Sequence, residues 1–592
     1  MRLSRIEIEN FKGIGSSQVI DLKPITLLFG PNSAGKSTIL QALHYLREIL
    51  ERHNADPDQT IAGGLIDLGG FAALVHDHDM NRAVRIKLRI DLSDAQGSER
   101  LPLNSGGRFQ DTDFEHLPIR YLVGENTELK DYAVVQEVGL GIEVAWSELV
   151  KAPYVTMLVV EIDGKAIAEI HSPPQEGRAQ IKAFNFAHPL LREIVDQDDL
   201  PTSPESTVDE PGIGPEDPFS SPLGREIWEL SRELAADLSV DHDGEYRIGV
   251  VTAFGALPDL DRPLAPDLLD VDHDEMQREF LSQPQDPRLL QTGQLSRKIA
   301  SEHARRRGLS SLLDELVLGP VRIVRDYLNS MTYLGPLREI PSRSFRPRLS
   351  PDETRWAQGL AAWDLLYTDA SGKLLDDVNG WLSGGERLRT GYRLEKTEIK
   401  EIPVPGAFHQ LFDRGLTEDD IGDLQDLYAT LKTRTEIALR DFKKGIIVAP
   451  GDVGVGISQM IPVIVGCLRD AQGLVAVEQP ELHVHPAIQV GLGDLFIHAI
   501  ESRNGFFGSG KSLLIETHSE HIMLRLLRRI REKTEKELPP GVLGLEPSDL
   551  SVIYVEGSEE GVQFRSLRVD KDGEFLDRWP KGFFEERAEE LF

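Results

Sequence analysis

Ile25-Thr26-Leu27-Leu28-Phe29 runs directly into Gly30-Pro31-Asn32-Ser33-Ala34-Gly35-Lys36-Ser37-Thr38, and the reading of this stretch decides the fold. An apolar strand is followed by the spacing G-x-x-x-x-G-K-[ST]. A helical pattern then covers 37–52, with Ile39, Leu40, Leu43, Leu46 and Leu50 on one face. Strand, glycine-rich loop and helix in that order make a phosphate-binding loop. The glycines let successive N–H groups curl around phosphate oxygens, and the helix N-terminus adds partial positive charge. Nucleotide binding is assigned to Gly30, Asn32, Ser33, Ala34, Gly35, Lys36, Ser37 and Thr38. Lys36 reaches the β- and γ-phosphates of ATP, and Ser37 ligates Mg²⁺. The same spacing recurs at 505–512, where a helical stretch precedes it and the strand Leu513-Leu514-Ile515 follows. That order is wrong for a phosphate loop, so 505–512 reads as a connector.

Further along, Leu474-Val475-Ala476-Val477 ends in Glu478-Gln479-Pro480-Glu481-Leu482-His483-Val484-His485-Pro486. An apolar strand that ends in an acid is the Walker B arrangement, with the buried strand fixing a carboxylate near the Mg²⁺ shell. His518 follows another short apolar strand. Parallel neighbours would bring these strand ends to the edge that carries Lys36. A zinc site at His483 and His485 finds no support, because no cysteine or third histidine clusters with them.

Composition bounds the rest. The 592 residues hold 40% apolar and 28% charged residues, enough for a sizeable core. Against 98 acids stand 65 Lys and Arg, a net charge of −33, which argues against a nucleic-acid coat or a polybasic membrane binder. The single cysteine, Cys467, excludes a disulfide framework and reads as a core thiol. No apolar run approaches the length of a membrane span, and no secretory leader is visible, so a cytoplasmic protein is expected. Strands are expected near 3–10, 24–29, 84–92, 132–147, 154–171 and 473–478, with a hairpin turn at Asp163-Gly164. Residues 296–330 and 519–535 read as helical. Residues 196–218 hold eight acids, five prolines and no Lys or Arg, and read as a loop.

Two stretches resemble the signature of ABC-type ATPase heads, and that resemblance implies a serine one helix ahead of the Walker B acid. Leu382-Ser383-Gly384-Gly385-Glu386 spells the signature, but Ser383 precedes Glu478 by 95 residues, too far for one helix leading into the strand. Ser458 precedes Glu478 by 20 residues, and an apolar helix at 460–468 follows it. Ser458 is therefore preferred as the contact to the γ-phosphate of a partner subunit, and Ser383 as part of a Gly-Gly turn. Val555-Glu556-Gly557 and Asp570-Lys571-Asp572 suggest a Toprim nuclease. The interval between them is too short for a helical crossover, and the second reads as a hairpin turn. The arginines at 305–307, at 338, 343, 346 and 348, and at 525, 528, 529 and 531 form basic clusters, read first as salt-bridged surface.

With these motifs, the chain resembles an ABC-type ATPase head of the group that contains the overcoming-lysogenization-defect (OLD) ATPases, RecF and the chromosome-maintenance (SMC) proteins. Ile6-Glu7-Ile8-Glu9-Asn10-Phe11-Lys12 fits that group. Tyr333-Leu334-Gly335-Pro336-Leu337-Arg338-Glu339, Glu516-Thr517-His518-Ser519-Glu520-His521 and Trp579-Pro580-Lys581-Gly582-Phe583-Phe584 resemble bacterial AAA-type ATPases that end in a small domain of unknown function. The resemblance implies an α/β fold: an ABC-type P-loop ATPase head split into 1–95 and 446–540. A β-rich insertion would occupy 96–320, a second lobe 321–445 and a small C-terminal domain 541–592. It implies Glu478 as Mg²⁺ ligand, Gln479 in the slot of the catalytic glutamate, His485 in the D-loop slot and His518 as the switch histidine. An amide orients water but is a poor base, so either hydrolysis is slow or Glu481 substitutes. It further implies a homodimer or higher homo-oligomer closing around ATP and Mg²⁺, with DNA or a co-encoded effector protein as partner. The setting would be defence against phage or DNA repair, with no membrane role. An ATP-gated scaffold without turnover is the alternative, and a self-contained nuclease the third reading.

Overall fold

The structure is a computed structural model that describes residues 1–58, 66–92, 100–101, 133–173, 179–193, 248–265, 310–343, 345–349, 353–385, 387–417, 420–501, 511–558 and 561–579. The acidic stretch 196–218, Arg305–Arg307 and most of the second glycine-rich match lie outside these residues.

The chain opens with β1 (Arg2–Glu9), β2 (Gln18–Asp21) and β3 (Ile25–Phe29), and helix α1 (Thr38–Arg52) follows the glycine-rich loop. Next come β4 (Val84–Asp91), β5 (Glu137–Ser147), β6 (Ala152–Ile162), β7 (Lys165–His171), β8 (Gln180–Phe184) and β9 (Ile248–Gly249). These strands, without β3, form an eight-stranded antiparallel sheet in the order β9-β8-β7-β6-β5-β4-β1-β2. Asp163 and Gly164 join β6 to β7 with φ of 48° and 75°, the sign that a tight hairpin needs at both positions. The boundary expected at 95/96 does not separate two sheets, because β4 pairs along its whole length with β5.

Helix α2 (Gly319–Asn329) leads into β10 (Thr332–Leu334), and α3 (Leu360–Thr368) and α4 (Lys373–Ser383) follow. Strands β11 (Tyr392–Lys400), β12 (Thr433–Asp441) and β13 (Ile447–Val448) make a small antiparallel sheet. Between β11 and β12 lie α5 (Ala407–Arg414) and α6 (Ile421–Thr430). The chain then runs through α7 (Val455–Leu468), β14 (Gly473–Glu478), α8 (Pro486–Glu501), β15 (Lys511–Glu516), α9 (Glu520–Glu535), β16 (Leu550–Ser558) and β17 (Gly561–Leu567).

A six-stranded sheet in the order β10-β14-β15-β3-β16-β17 lies between two cores. Its first five strands are parallel and β17 is antiparallel. Side chains alternate across a strand, so each strand serves both cores. Leu28, Leu474, Ala476, Leu514, Ile553 and Val555 join the core shared with α1, α2 and the eight-stranded sheet. Ile25, Leu27, Phe29, Val475, Val477, Leu513 and Ile515 join the core shared with α7, α8 and α9.

The segment expected as a separate C-terminal domain instead places β16 beside β3, inside this sheet. Leu550, Val552 and Tyr554 face one core and Ile553 and Val555 the other, so β16 is a central strand by its own pattern. It returns at once as β17 without a crossover, and Asp570 accepts bonds from the N–H groups of Asp572 and Glu574 in a tight turn. That geometry is a hairpin and a turn, not a Toprim fold. Ser383 closes the C-terminal end of α4, donating its hydroxyl to Asn379 O at 2.8 Å, so Leu382–Gly385 cannot present a helix N-terminus. Cys467 is buried, and burial pushes its thiol up to about 12. No helix among the described residues is long and apolar enough to cross a membrane.

Lys511 of the second glycine-rich match starts β15, and its ammonium donates to Cys467 O at 2.7 Å and to Arg469 O. It caps the free carbonyls at the end of α7. Lys511→Ala is expected to lower stability by about 1–2 kcal/mol in urea unfolding and to leave nucleotide affinity unchanged. Loss of nucleotide binding would instead make 505–512 a working loop.

Candidate functional site

The parallel register aligns Glu478 with Glu516 and Glu516 with Leu28. The carboxyl ends of β14, β15 and β3 therefore deliver two acids and the glycine-rich loop to one edge. Gly30, Ser33 and Gly35 have φ of 150°, 62° and 95°, which turns the loop back on itself. A Cβ on Gly30 would lie 2.2 Å from Val555 O, so β16 leaves room only for glycine there.

Lys36 is buried, and its ammonium donates to Gly30 O at 3.1 Å and Pro31 O at 2.8 Å. It stands 3.9 Å from a carboxylate oxygen of Glu516. Burial lowers its pKa, and Glu516, Glu481 and Glu478 oppose that shift. Ser37 Oγ donates to Glu516 Oε2 at 2.6 Å. The acid in contact with the loop serine is thus Glu516, while Glu478 accepts a hydrogen bond from Tyr333 OH at 2.9 Å. Arg338 is buried, and its guanidinium donates to Glu478 O at 2.5 Å and Gln479 O at 3.2 Å, fixing the turn after β14. Burial pulls Arg338 down to about 10, which leaves it charged at neutral pH. Burial first, then the neighbouring Glu516, push the Glu478 carboxyl up to about 7.

The chain leaves β14 abruptly. Gln479 has a φ of 43°, and its N–H donates to Glu516 O at 2.7 Å. Glu481 accepts from Thr517 Oγ1 and from the N–H of His518, both at 2.7 Å, so its carboxylate ties the turn after β14 to the turn after β15. That tie holds His518 at the edge of the site. His518 Nε2 is buried without a hydrogen-bond partner among the described residues. Burial and the Lys36 charge hold this imidazole below the usual histidine range, so it is neutral at pH 7.

Asn32, Ala34 and Thr38 sit with the loop and the first residue of α1. Ser458 does not reach any surface. The helix expected from 460 begins at Val455, which places Ser458 inside it, fully buried, with Oγ donating to Pro450 O at 2.6 Å. The first turn of α7 exposes Gly454 and Val455 instead. It packs tightly on the loop after Glu478, where a Cβ on Gly456 would lie 2.2 Å from His483 O. His483 and His485 are exposed, and His485 Nδ1 accepts from Ala487 N at 3.2 Å. Three of the four arginines of the α9 cluster, Arg525, Arg528 and Arg529, are paired with acids of α8 and α9. Arg529 bonds Asp494 at 2.7 Å and also Glu532, Arg528 bonds Glu532 at 2.6 Å, and Arg525 lies 3.3 Å from Asp494.

Sequence reasoning gave no role to Glu516 or Tyr333, and it read Arg338 as surface charge, whereas Arg338 is buried against the backbone of Glu478 and Gln479. Glu516 ends an apolar strand just as Glu478 does, and that signal could have found it. Ser37, Glu478 and Glu516 offer hard oxygen donors of the kind Mg²⁺ takes when phosphates complete its shell. Among the described residues no group of three or more His, Cys, Asp or Glu could hold a metal by itself. The unpartnered His518 Nε2 and the Lys36 ammonium suit a phosphate oxygen.

Residues 1–95 match the family described as AAA ATPase domain, and residues 264–524 that described as AAA domain, putative AbiEii toxin, Type IV TA system. Residues 545–592 match a protein of unknown function (DUF3696). The DNA replication and repair protein RecF of Chlorobium luteolum is 44% identical over 45 residues, 8% of this chain and 12% of that protein. RecF of Shewanella baltica is 44% identical over 46 residues, 8% of this chain and 13% of that protein. The chain thus spans only 12% and 13% of the length of these curated relatives. The Smc head domain of Pyrococcus furiosus, solved with the C-terminal domain of ScpA, aligns over 100% of this chain and 98% of its own at 10% identity and a TM-score of 0.33. The SMC head domain from Thermotoga maritima aligns over 96% and 100% at 7% identity and a TM-score of 0.32. Two segments of the chain thus match AAA-type ATPase domain families, and a third, behind them, matches DUF3696.

Glu478 sets a pH dependence. Its carboxyl keeps a proton in the folded chain up to about 7, while the unfolded chain releases it in the ordinary carboxylate range. The folded state therefore binds more protons in that window, and stability falls as pH rises through it. Glu478→Gln keeps an acceptor for Tyr333 and removes the loss. The variant is expected to be more stable than the parent by about 1–3 kcal/mol at pH 8 and by clearly less at pH 5, measured by chemical unfolding. An equal gain at both pH values would place the proton elsewhere.

Proposed function

We propose that this chain is an ABC-type ATPase that binds ATP and Mg²⁺ at the edge formed by β3, β14 and β15 and uses the nucleotide to close a homodimer. The convergence of Lys36, Ser37, Glu478, Glu516 and the unpartnered His518 Nε2 carries the reading. In it, the loop N–H groups and Lys36 hold the β- and γ-phosphates. Ser37 and Glu478 hold the metal, and Glu516 orients the Ser37 hydroxyl. Mg²⁺, when bound, neutralises charge on the bridging phosphate oxygens. His518 donates to a γ-phosphate oxygen, and Gln479 orients the attacking water. Across the dimer, the exposed first turn of α7 at Gly454 and Val455 meets the partner's γ-phosphate, in place of the buried Ser458.

Closure would be read by DNA or by an effector protein, in phage defence or DNA repair within the cytoplasm. The printed name of RecF supports the first partner. A second reading, an ATP-gated scaffold without turnover, is favoured by Gln479 in the glutamate slot and by Glu481, whose two oxygens both already accept bonds.

Steady-state ATP hydrolysis with and without DNA separates the readings. Turnover should be low, should disappear in Lys36→Ala, and should rise about tenfold or more in Gln479→Glu as a general base is restored. Tight ATP binding with no turnover in either the parent or Gln479→Glu would leave the scaffold. In size-exclusion runs with ATP, Val455→Asp should remain monomeric, while Ser383→Arg should dimerise like the parent. The reverse pattern would return the signature role to Ser383.

A further inference from the structure

Helices α5 and α6 sit where β11 and β12 end, beyond the pair Lys400 and Thr433. They bury almost nothing. Leu411 is the one buried residue of α5, and α6 has none. Helices of 8 and 10 residues are too short to persist in water by propensity alone and need a packed apolar face. Here the apolar residues point outward: Val404 is 68% exposed, Ile421 58%, Phe412 53% and Leu416 46%. A cleft of ≈ 490 Å³ runs between the helices and is lined by Leu411, Leu427, Asp423 and Asp426, with the exposed apolar residues outside its lining. Neither aspartate has an ion-pair partner among the described residues. Arg414, the one base lining the cleft, is already paired with Asp420.

We infer that this helical tip is a docking surface for a partner protein that presents a basic amphipathic helix. Charge selects the occupant. Residues 401–432 hold seven acids against two Lys and Arg, on a chain whose net charge is −33. A second copy docking through the same patch would set acid against acid, and a nucleic-acid backbone would be repelled as well. An apolar helix face rimmed by Lys or Arg would fill the cleft with its hydrophobic anchors and neutralise Asp423 and Asp426. The inference does not use the nucleotide site.

The test uses the full chain and a fluorescein-labelled synthetic 18-residue helix with leucine on one face and lysine on the other, read by fluorescence anisotropy. A lysine–leucine peptide of scrambled order and a helix with glutamate in place of lysine are the controls. The amphipathic lysine helix should bind, the scrambled peptide should bind more weakly, and the glutamate helix should not bind. Asp423→Lys with Asp426→Lys, and separately Ala407→Lys with Gln410→Lys on the opposite wall of the cleft, should each weaken binding by about tenfold or more. Because all four positions are exposed, ATP affinity and the thermal melt should stay at parent values, which separates a failed surface from a misfolded chain. The inference is overturned if the lysine helix fails to bind, if the scrambled peptide binds equally well, or if neither double variant weakens binding. Dissociation of a homo-oligomer by Phe412→Asp with Ile421→Asp in sedimentation velocity would also overturn it, by making a second copy the occupant.

Discussion

Five parallel strands buried on both faces impose the constraint on which the rest depends. Along β3, β14, β15 and β16 every alternate side chain enters one core or the other, so polar groups can leave the sheet only at strand ends. The register then decides which residues meet. Glu478 lies opposite Glu516, and Glu516 opposite Leu28, one residue before the end of β3. A slip of one residue would turn the apolar side chains of a strand toward the opposite core and take its terminal acid out of line with its neighbours. The hydrophobic pattern of the strands and the chemistry of their ends are therefore one specification.

That arrangement carries an electrostatic cost at the site and compensates it with fixed partners. Two carboxyl groups and a lysine are brought together under burial, and the stresses appear as a raised Glu478 and a lowered Lys36. Tyr333 and Arg338 hold the Glu478 side chain and backbone, and Ser37 holds Glu516. A divalent cation and a polyphosphate would relieve both stresses together, the cation by ionising Glu478 and the phosphates by pairing Lys36.

The local parts of this design were legible in the sequence. The strand, glycine-rich loop and helix over 25–52, the strand 473–478 and the helix after His518 depend on periodicity and spacing within short windows. The Asp163-Gly164 turn was legible for the same reason. The long-range parts were not. Tyr333 meets Glu478 across 145 positions, and Ser37 meets Glu516 across 479. Only the sheet order brings them together. The C-terminal strand misled because its burial on both faces depends on β3, which lies at the other end of the chain. Ser458 misled because the spacing to Glu478 located the helix but not its first turn. The chain turns helical at Val455, and that shift by a few residues moves the serine from the rim to the interior.

The same long-range ties give the site a route outward. Arg338 grips the carbonyls of Glu478 and Gln479, Glu481 grips the turn that carries His518, and Gly456 lets α7 begin against His483. The turn after β14 thus touches the edge that carries Lys36, the turn of His518 and the exposed helix start. It also turns at a left-handed residue, Gln479, whose N–H donates to Glu516 O. A segment with three fixed partners and one strained hinge moves as a unit or not at all. In the proposed reading, a change at the phosphates that shifts Glu478 or His518 would also shift the surface at Val455. This supplies the physical link by which nucleotide state would become a change in what the protein contacts.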